Sequence, residues 1–388
     1  MARLRYIPLI FVLCLCTRAS AVQDSLRFSL LTCDPGQEIY TLFGHTALRC
    51  ENRSAHTDVV YNYGLFSFDT PNFIINFILG LTDYRLGITP MEHFAAEYAM
   101  RGWPIHQQVL NLTPEEKARL LDLLETNYLP GNRIYRYNYF YDNCTTRARD
   151  QVEKAVSGRI VYPDPYTDRT FRSILHEFTA GSPWDELGID LCLGAGADKL
   201  IDERLQMFAP FYMKDYASRA YIEDEAGGRR PFVLEETLAM DTEREESWSG
   251  FPLTPLQCAI ILLVLECIVC WVQIRRRTVY WGWEALLMAG QGAAGCIVAF
   301  LFFFSIHPTV DSNWALWIFN PIPLVYAPIS AYRAAKRKTD LYHKVNIAYL
   351  SIFIVIMALG VQDFPVTVVP LALTLLAASV SHTLALKR

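Results

Sequence analysis

Five long apolar runs crowd the last third of this 388-residue chain: Leu256–Ile274, Tyr280–Ser305, Trp314–Tyr332, Val345–Val361 and Pro365–Leu386. A helix needs ~20 mostly apolar residues to cross the ~30 Å hydrocarbon layer of a bilayer. Each run is near that length, with Val345–Val361 the shortest. The stretch before them, from Val22 to about Gly250, is mixed and polar. This uneven distribution explains how the chain reaches 52% hydrophobic residues, above the ~45–50% usual for a soluble domain. It predicts an outer domain over 22–250 and a five-helix transmembrane bundle over 251–388.

The basic residues orient the bundle. Arg275, Arg276 and Arg277 follow the first run, Arg333, Lys336, Arg337, Lys338 and Lys344 separate the third from the fourth, and Lys387 and Arg388 follow the fifth. The loops Ile306–Asn313 and Gln362–Phe364 hold no Lys or Arg. Basic loops stay in the cytoplasm, so residues 22–250 face outward. The amino terminus agrees independently. Arg3 and Arg5 precede the apolar stretch Tyr6–Cys16, and Ala19-Ser20-Ala21 offers small residues for cleavage, the pattern of a signal peptide over 1–21. The net charge of -5 gives no support to nucleic-acid binding. Of the outer cysteines Cys33, Cys50, Cys144 and Cys192, one pair could form a disulfide in an oxidising compartment, but spacing does not choose it. Cys258, Cys267, Cys270 and Cys296 read as small hydrophobes of the membrane runs.

Within the outer domain, Phe28–Cys33 reads as a strand, and Thr46–Cys50 with Val59–Tyr63 as an antiparallel pair. Thr113–Tyr128 reads as a helix with Thr113 and Glu116 in a capping box. Tyr135–Tyr141 is aromatic and strand-like. Asp142 or Asn143 then caps a helix from Cys144 to about Val156, whose Ala148, Val152 and Val156 share a face. Trp184–Gly250 reads as short helices and loops.

Chemistry concentrates in two segments, Phe43-Gly44-His45-Thr46 and Asp142-Asn143-Cys144-Thr145-Thr146-Arg147. A thiol must lose its proton to attack. A cysteine in the first turn of a helix sits against the positive end of the helix dipole, which favours thiolate. A histidine in hydrogen-bond reach completes the activation and later returns the proton. His45, entering a strand beside Gly44, is the best partner for Cys144, and Asn62 on the neighbouring strand is the candidate to orient it. Each residue alone is more often structural than catalytic.

Together these segments resemble the circularly permuted branch of the NlpC/papain-like thiol hydrolases, which includes lecithin:retinol acyltransferase. There the histidine strand precedes the cysteine helix. Leu30–Gly36, Phe43–His45, Tyr61–Gly64, Asp142–Arg147, Leu187–Leu191 and the five apolar runs resemble, more narrowly, the Lnb lipoprotein N-acyltransferases. The resemblance implies an α+β permuted thiol domain on the periplasmic side of the inner (cytoplasmic) membrane. It implies acyl transfer from a phospholipid, through a Cys144 thioester, to the α-amino group of the diacylglyceryl-modified first cysteine of bacterial lipoproteins. It calls for no cofactor and no metal.

Asn143, Arg147, His307 and Asn313 are the candidate substrate-binding residues, the last two in an outward-facing loop that reads equally as solvated surface. Phe73–Leu81 fits an interfacial segment, an acyl-groove wall or a buried core element. Glu266 and Gln291 both fall near mid-membrane by their rise along the helix. A carboxylate there needs a partner, which predicts a Glu266–Gln291 hydrogen bond. The competing readings are a membrane-anchored NlpC-type cell-wall peptidase or amidase, and an inactive thiol-hydrolase fold used as a scaffold.

Overall fold

The computed structural model describes residues 25–67, 69, 71–242 and 251–387. The expected signal peptide lies outside the described residues. Two compact units divide the chain, one within Met1–Arg169 and Leu200–Ser247, the other within Thr170–Lys199 and Trp248–Arg388.

The first unit is a mixed α/β domain on an antiparallel sheet. Its elements run β1 (Leu26–Cys33), β2 (His45–Asn52), β3 (Thr57–Leu65), α1 (Phe73–Leu79), β4 (Asp83–Pro90), α2 (Met91–Arg101), β5 (Ile105–Leu110), α3 (Pro114–Tyr128), β6 (Ile134–Arg136) and α4 (Cys144–Ala155), then β7 (Arg159–Val161). Strand order is β10-β5-β1-β2-β3-β4-β6, where β10 is Val233–Met240 near the end of the unit. β1 lies inside the sheet, between β5 and β2, and is buried along nearly its whole length, as expected of LRFSLLTC with neighbours on both sides. Leu31, Cys33, Ala47, Val60 and Ile105 form the core on one face with Met91 and Phe94 of α2.

The expected antiparallel pair is present, with Leu48 opposite Tyr61 and Cys50 opposite Val59. So is the capping box of α3, with Thr113 Oγ1 accepting from the Glu116 N–H and Glu116 reaching back to the Thr113 N–H. Tyr135–Tyr141 departs from the strand-like reading. Only Ile134–Arg136 pairs with β4. Asn138 Oδ1 then accepts from the Phe140 and Tyr141 N–H groups and turns the chain towards α4. The edge strand β10 escaped the reading because its solvent-facing residues interrupt the apolar pattern.

In the second unit, α5 (Phe171–Thr179) and α6 (Pro183–Cys192) precede the apolar runs; α7 (Glu203–Gln206) and α8 (Pro210–Arg219), with strands β8 (Tyr221–Glu223) and β9 (Arg229–Pro231), belong to the first. Arg172, fully buried, binds Asp190, Asp198 and the Leu193 and Gly194 carbonyls, which knits 170–199 together. Among the described residues, four helices are long and apolar enough to cross a membrane: α9 (Pro255–Arg276), α10 (Trp281–Phe304), α12 (Leu341–Ala358) and α13 (Val368–Ala385).

The third apolar run differs from expectation. It breaks into a 3-10 turn, Trp314–Leu316, and a 14-residue helix, α11 (Ile322–Ala335), which spans about 21 Å at 1.5 Å per residue. The break falls at Asn320-Pro321, where proline cannot continue a helix begun upstream. α10 accommodates it with small residues. A Cβ on Gly292 would lie 2.4 Å from Leu324 Cβ, and one on Gly295 2.3 Å from the Asn320 carbonyl carbon. Hydropathy counts apolar residues and is blind to such a break.

The expected Glu266–Gln291 bond is absent. Glu266 accepts from Trp283 Nε1 at 2.6 Å and from Cys270 Sγ at 3.0 Å. Gln291 instead donates to the Ile318 carbonyl at 2.7 Å, a group freed by the broken run. A non-helical stretch at membrane depth needs a protein partner of that kind.

Candidate active site

Cys144 is the first residue of α4. Asn143 caps that helix: its Oδ1 accepts from the Thr145 and Thr146 N–H groups, both at 2.9 Å, and Thr146 Oγ1 accepts from the Asn143 N–H at 2.8 Å. The Asn143 amide also donates to the Tyr139 and Phe208 carbonyls. Its polar atoms are thus committed inside the fold. Expected as a substrate-binding residue, Asn143 instead fixes where the helix starts and the thiol sits. Arg147 is similarly engaged, forked onto Asp142 at 2.6 and 2.8 Å and lying over the Tyr135 ring at 3.6 Å from its centroid. It braces the turn before Cys144.

His45 opens β2. Gly44 before it has φ +73, a left-handed conformation that glycine adopts at no steric cost. A Cβ there would also press to 2.6 Å from the Cys33 carbonyl oxygen. The His45 ring uses Nε2 to meet Asn62 Oδ1 at 2.6 Å. Since β2 and β3 pair Leu48 with Tyr61, Asn62 sits two residues along from His45 on the same face. The bond assigns the Nε2–H tautomer, leaving Nδ1 for the cysteine side. β3 closes over this pair at Gly64, with φ +91, where a Cβ would stand 3.6 Å from Cys144 Cβ and 3.8 Å from His45 Cε1.

The electrostatics follow. Burial pushes the Cys144 thiol up, but the neighbouring His45 charge and hydrogen bond, the Thr46 backbone N–H and the Thr145 hydroxyl together outweigh it, and the thiol is lowered to about 7. Burial works against the His45 imidazolium, yet the Cys144 charge and the Asn62 bond raise it above its ordinary range. Both shifts favour the thiolate–imidazolium pair. By contrast, burial drives Cys33 and Cys50 far up. All eight described cysteines are free thiols, so no disulfide joins Cys33, Cys50 or Cys192 in this structure.

Residues 17–176 match the model of the Lnb N-terminal periplasmic domain, and residues 244–388 that of the Lnb transmembrane domain. This chain belongs to the Lnb family. No curated protein and no solved structure matches it significantly. Lnb membership makes it a membrane-embedded protein with a periplasmic domain, and implies an enzyme with lipid and lipoprotein substrates.

In this Lnb protein the structure brings together Cys144, His45 and Asn62. Asn313 belongs to the second unit. It is buried and donates to the Leu191 carbonyl at 2.8 Å, while its Oδ1 accepts from the Ala315 N–H at 2.9 Å. Its atoms pin α6 to the loop before the third run. His307 is half-buried in that loop, with its backbone N–H on Ser305 Oγ.

Sequence reasoning missed the threonine pair beneath the site, Thr46 Oγ1 to Thr145 Oγ1 at 3.0 Å, which ties β2 to α4. It also missed an aromatic row. Phe77, Phe73, Phe66, Tyr84 and Tyr137 follow ring to ring, with centroids 6.2, 5.3, 4.9 and 4.2 Å apart. The row starts on α1, whose Ile74, Ile75 and Ile78 are exposed. The density of aromatic residues in 61–84 and 135–141 was its one visible signal.

Proposed function

We propose that the chain is a thiol-dependent lipoprotein N-acyltransferase, and that Cys144, His45 and Asn62 carry its chemistry. The observation that carries this reading is the close Cys144–His45 pair, with a depressed thiol at a capped helix start, in a chain matched by both Lnb models.

The Cys144 thiolate attacks the carbonyl carbon of a phospholipid ester and forms a carbon–sulfur bond. The Thr46 N–H, which reaches the sulfur, stands beside the developing negative charge. The intermediate collapses with cleavage of the ester carbon–oxygen bond, and His45 gives its proton to the departing lysophospholipid alkoxide. The acyl chain is now a thioester on Cys144. The α-amino group of the lipid-modified cysteine then attacks the thioester, His45 takes a proton from it, and the carbon–sulfur bond breaks. The products are the amide and the restored thiolate. A thioester transfers readily to an amine, which suits a thiol to this two-step route.

The histidine strand β2 preceding the cysteine helix α4 supports the permuted thiol fold. The exposed isoleucines of α1 and the aromatic row, whose Tyr84 and Tyr137 lie within the field of Cys144, support a lipid donor over a cell-wall peptide, since they offer an apolar face for an acyl chain. Basic residues at the ends of α9, α11 and α13 support five crossings, with the broken third run serving as one, in the cytoplasmic membrane with the thiol domain outside. Mass spectrometry of lipoprotein amino termini tests the reaction. Cells that depend on this chain should carry the N-acyl chain, and cells carrying Cys144→Ser should show a free amine. N-acylation at an unchanged level with Cys144→Ser would refute the proposal.

A further inference from the structure

The helical unit holds a cluster that the acyl-transfer reading does not use. Glu284 lies in the first turn of α10, His343 is the third residue of α12, and His382 lies in the last turn of α13. Basic residues flank all three helix ends, so the cluster belongs to the cytoplasmic end of the bundle. The three side chains are 3%, 2% and 1% exposed. Each offers one donor atom, and these atoms lie within 4.8 Å of one another. Glu284 Oε2 is 2.7 Å from His382 Nδ1 and 3.9 Å from His343 Nε2, and the two imidazoles stack at 3.8 Å.

Hydrogen bonds within the protein pair Glu284 Oε2, His382 Nδ1 and both His343 nitrogens, but not the rest of the cluster. Glu284 Oε1 and His382 Nε2 are buried without a hydrogen-bond partner. A polar atom left unpaired inside a bundle is costly, and a carboxylate is more so. Meanwhile the surroundings orient His343 as they would a ligand. Its Nδ1 meets Ser379 Oγ at 3.3 Å, and Ser379 Oγ accepts from Asn346 Nδ2 at 2.9 Å. That supports Nδ1–H, held by outer partners as in metal-binding histidines, and leaves a lone pair on Nε2, 3.9 Å from Glu284 Oε2. That lone pair now accepts from the Ser330 hydroxyl of α11 at 2.9 Å, a contact that a bound ion would replace. Asp340, which caps α12 and accepts from Tyr326 OH at 2.9 Å, adds a second buried carboxylate nearby.

We propose that Glu284, His343 and His382 bind a divalent transition-metal ion at the cytoplasmic end of the helical unit. Two imidazoles and one carboxylate form a zinc-type ligand set, too rich in nitrogen and too poor in oxygen for Mg2+ or Ca2+. The ion neutralises the buried carboxylate and ties α10, α12 and α13 together. Its role is structural and independent of the thiol chemistry.

The test uses full-length protein carrying no histidine tag, purified without chelator. Elemental analysis should find about one zinc per chain, with a loss of most of it in Glu284→Gln and in His382→Ala. Stripped wild-type protein titrated with Co2+ should develop the visible absorption of a low-symmetry four-coordinate site, and Zn2+ should abolish it. Added Zn2+ should also raise the Tm of the stripped wild type and not that of His382→Ala. If His382→Ala fails to fold, the Co2+ titration of the wild type decides alone. Absence of that absorption in folded protein, or equal zinc in wild type and folded variants, would overturn the proposal.

Discussion

A thiol attacks only as its thiolate, and the fraction of Cys144 in that form is set by His45. The thiol is lowered to about 7 and the imidazolium is raised, so as pH rises the thiol gives its proton to solvent while His45 stays protonated beside it, and the ion pair forms. The apparent constants belong to the pair. Iodoacetamide labelling of Cys144 should therefore rise through about pH 7 in the wild type. In His45→Ala burial is no longer opposed by the imidazolium, and the rise should move up to or beyond the range of ordinary thiols. An identical profile in the two proteins would show that His45 does not activate Cys144. Asn62 acts through His45. Asn62→Ala should slow acyl transfer and shift the labelling profile, while Asn62→Asp, which keeps an acceptor for Nε2–H, should restore much of both. These three residues were legible in the sequence because two sit at recognisable places, a helix start and a glycine–strand junction, and the third follows from strand register. The roles of Asn143, Arg147 and Asn313 were not legible. Their types suit substrate contact, and only three-dimensional packing shows their polar atoms already engaged within the fold.

At the scale of elements, two tight places carry consequences. β3 passes the site at Gly64 with φ +91, where a side chain is strained whatever the space. Gly64→Ala should lower acyl transfer strongly while leaving a folded, membrane-inserted protein. Normal activity would show that β3 tolerates displacement there. In the helical unit, Gln291→Leu leaves the Ile318 carbonyl unpaired at a cost of about 1–3 kcal/mol, read as a lower Tm in detergent. Gln291→Glu, protonated at that depth, keeps a donor and should lose less. The local elements β2, β3, α3 and α4 were visible from alternation, spacing and caps. The break at Asn320-Pro321 was not, because an apolar count averages over it. Nor was β10, which joins the sheet from far along the chain. Glu284 and His382, 98 residues apart, show no local motif at all.

For the whole molecule, the chain's two kinds of sequence fold into two units, but the division is not a single cut. Residues 170–199 sit with the helical unit, held by Asn313 on the Leu191 carbonyl and by Gln362 on the Leu193 carbonyl. Asn313→Ala should therefore lower stability and leave thioester formation intact. Orientation is testable by fusion. A reporter active only in the periplasm should work within Ile306–Asn313 and fail within Arg333–Lys344, and the reverse would place the thiol domain in the cytoplasm. The central claim, that Cys144 carries the acyl chain, has one direct measurement. Purified protein is incubated with phospholipid and no acceptor, and its intact mass is recorded. The account predicts a mass increase of one acyl chain, mapped to Cys144, removed by hydroxylamine and absent from Cys144→Ala. An unmodified Cys144 in protein that still N-acylates a lipoprotein peptide under the same conditions would contradict it.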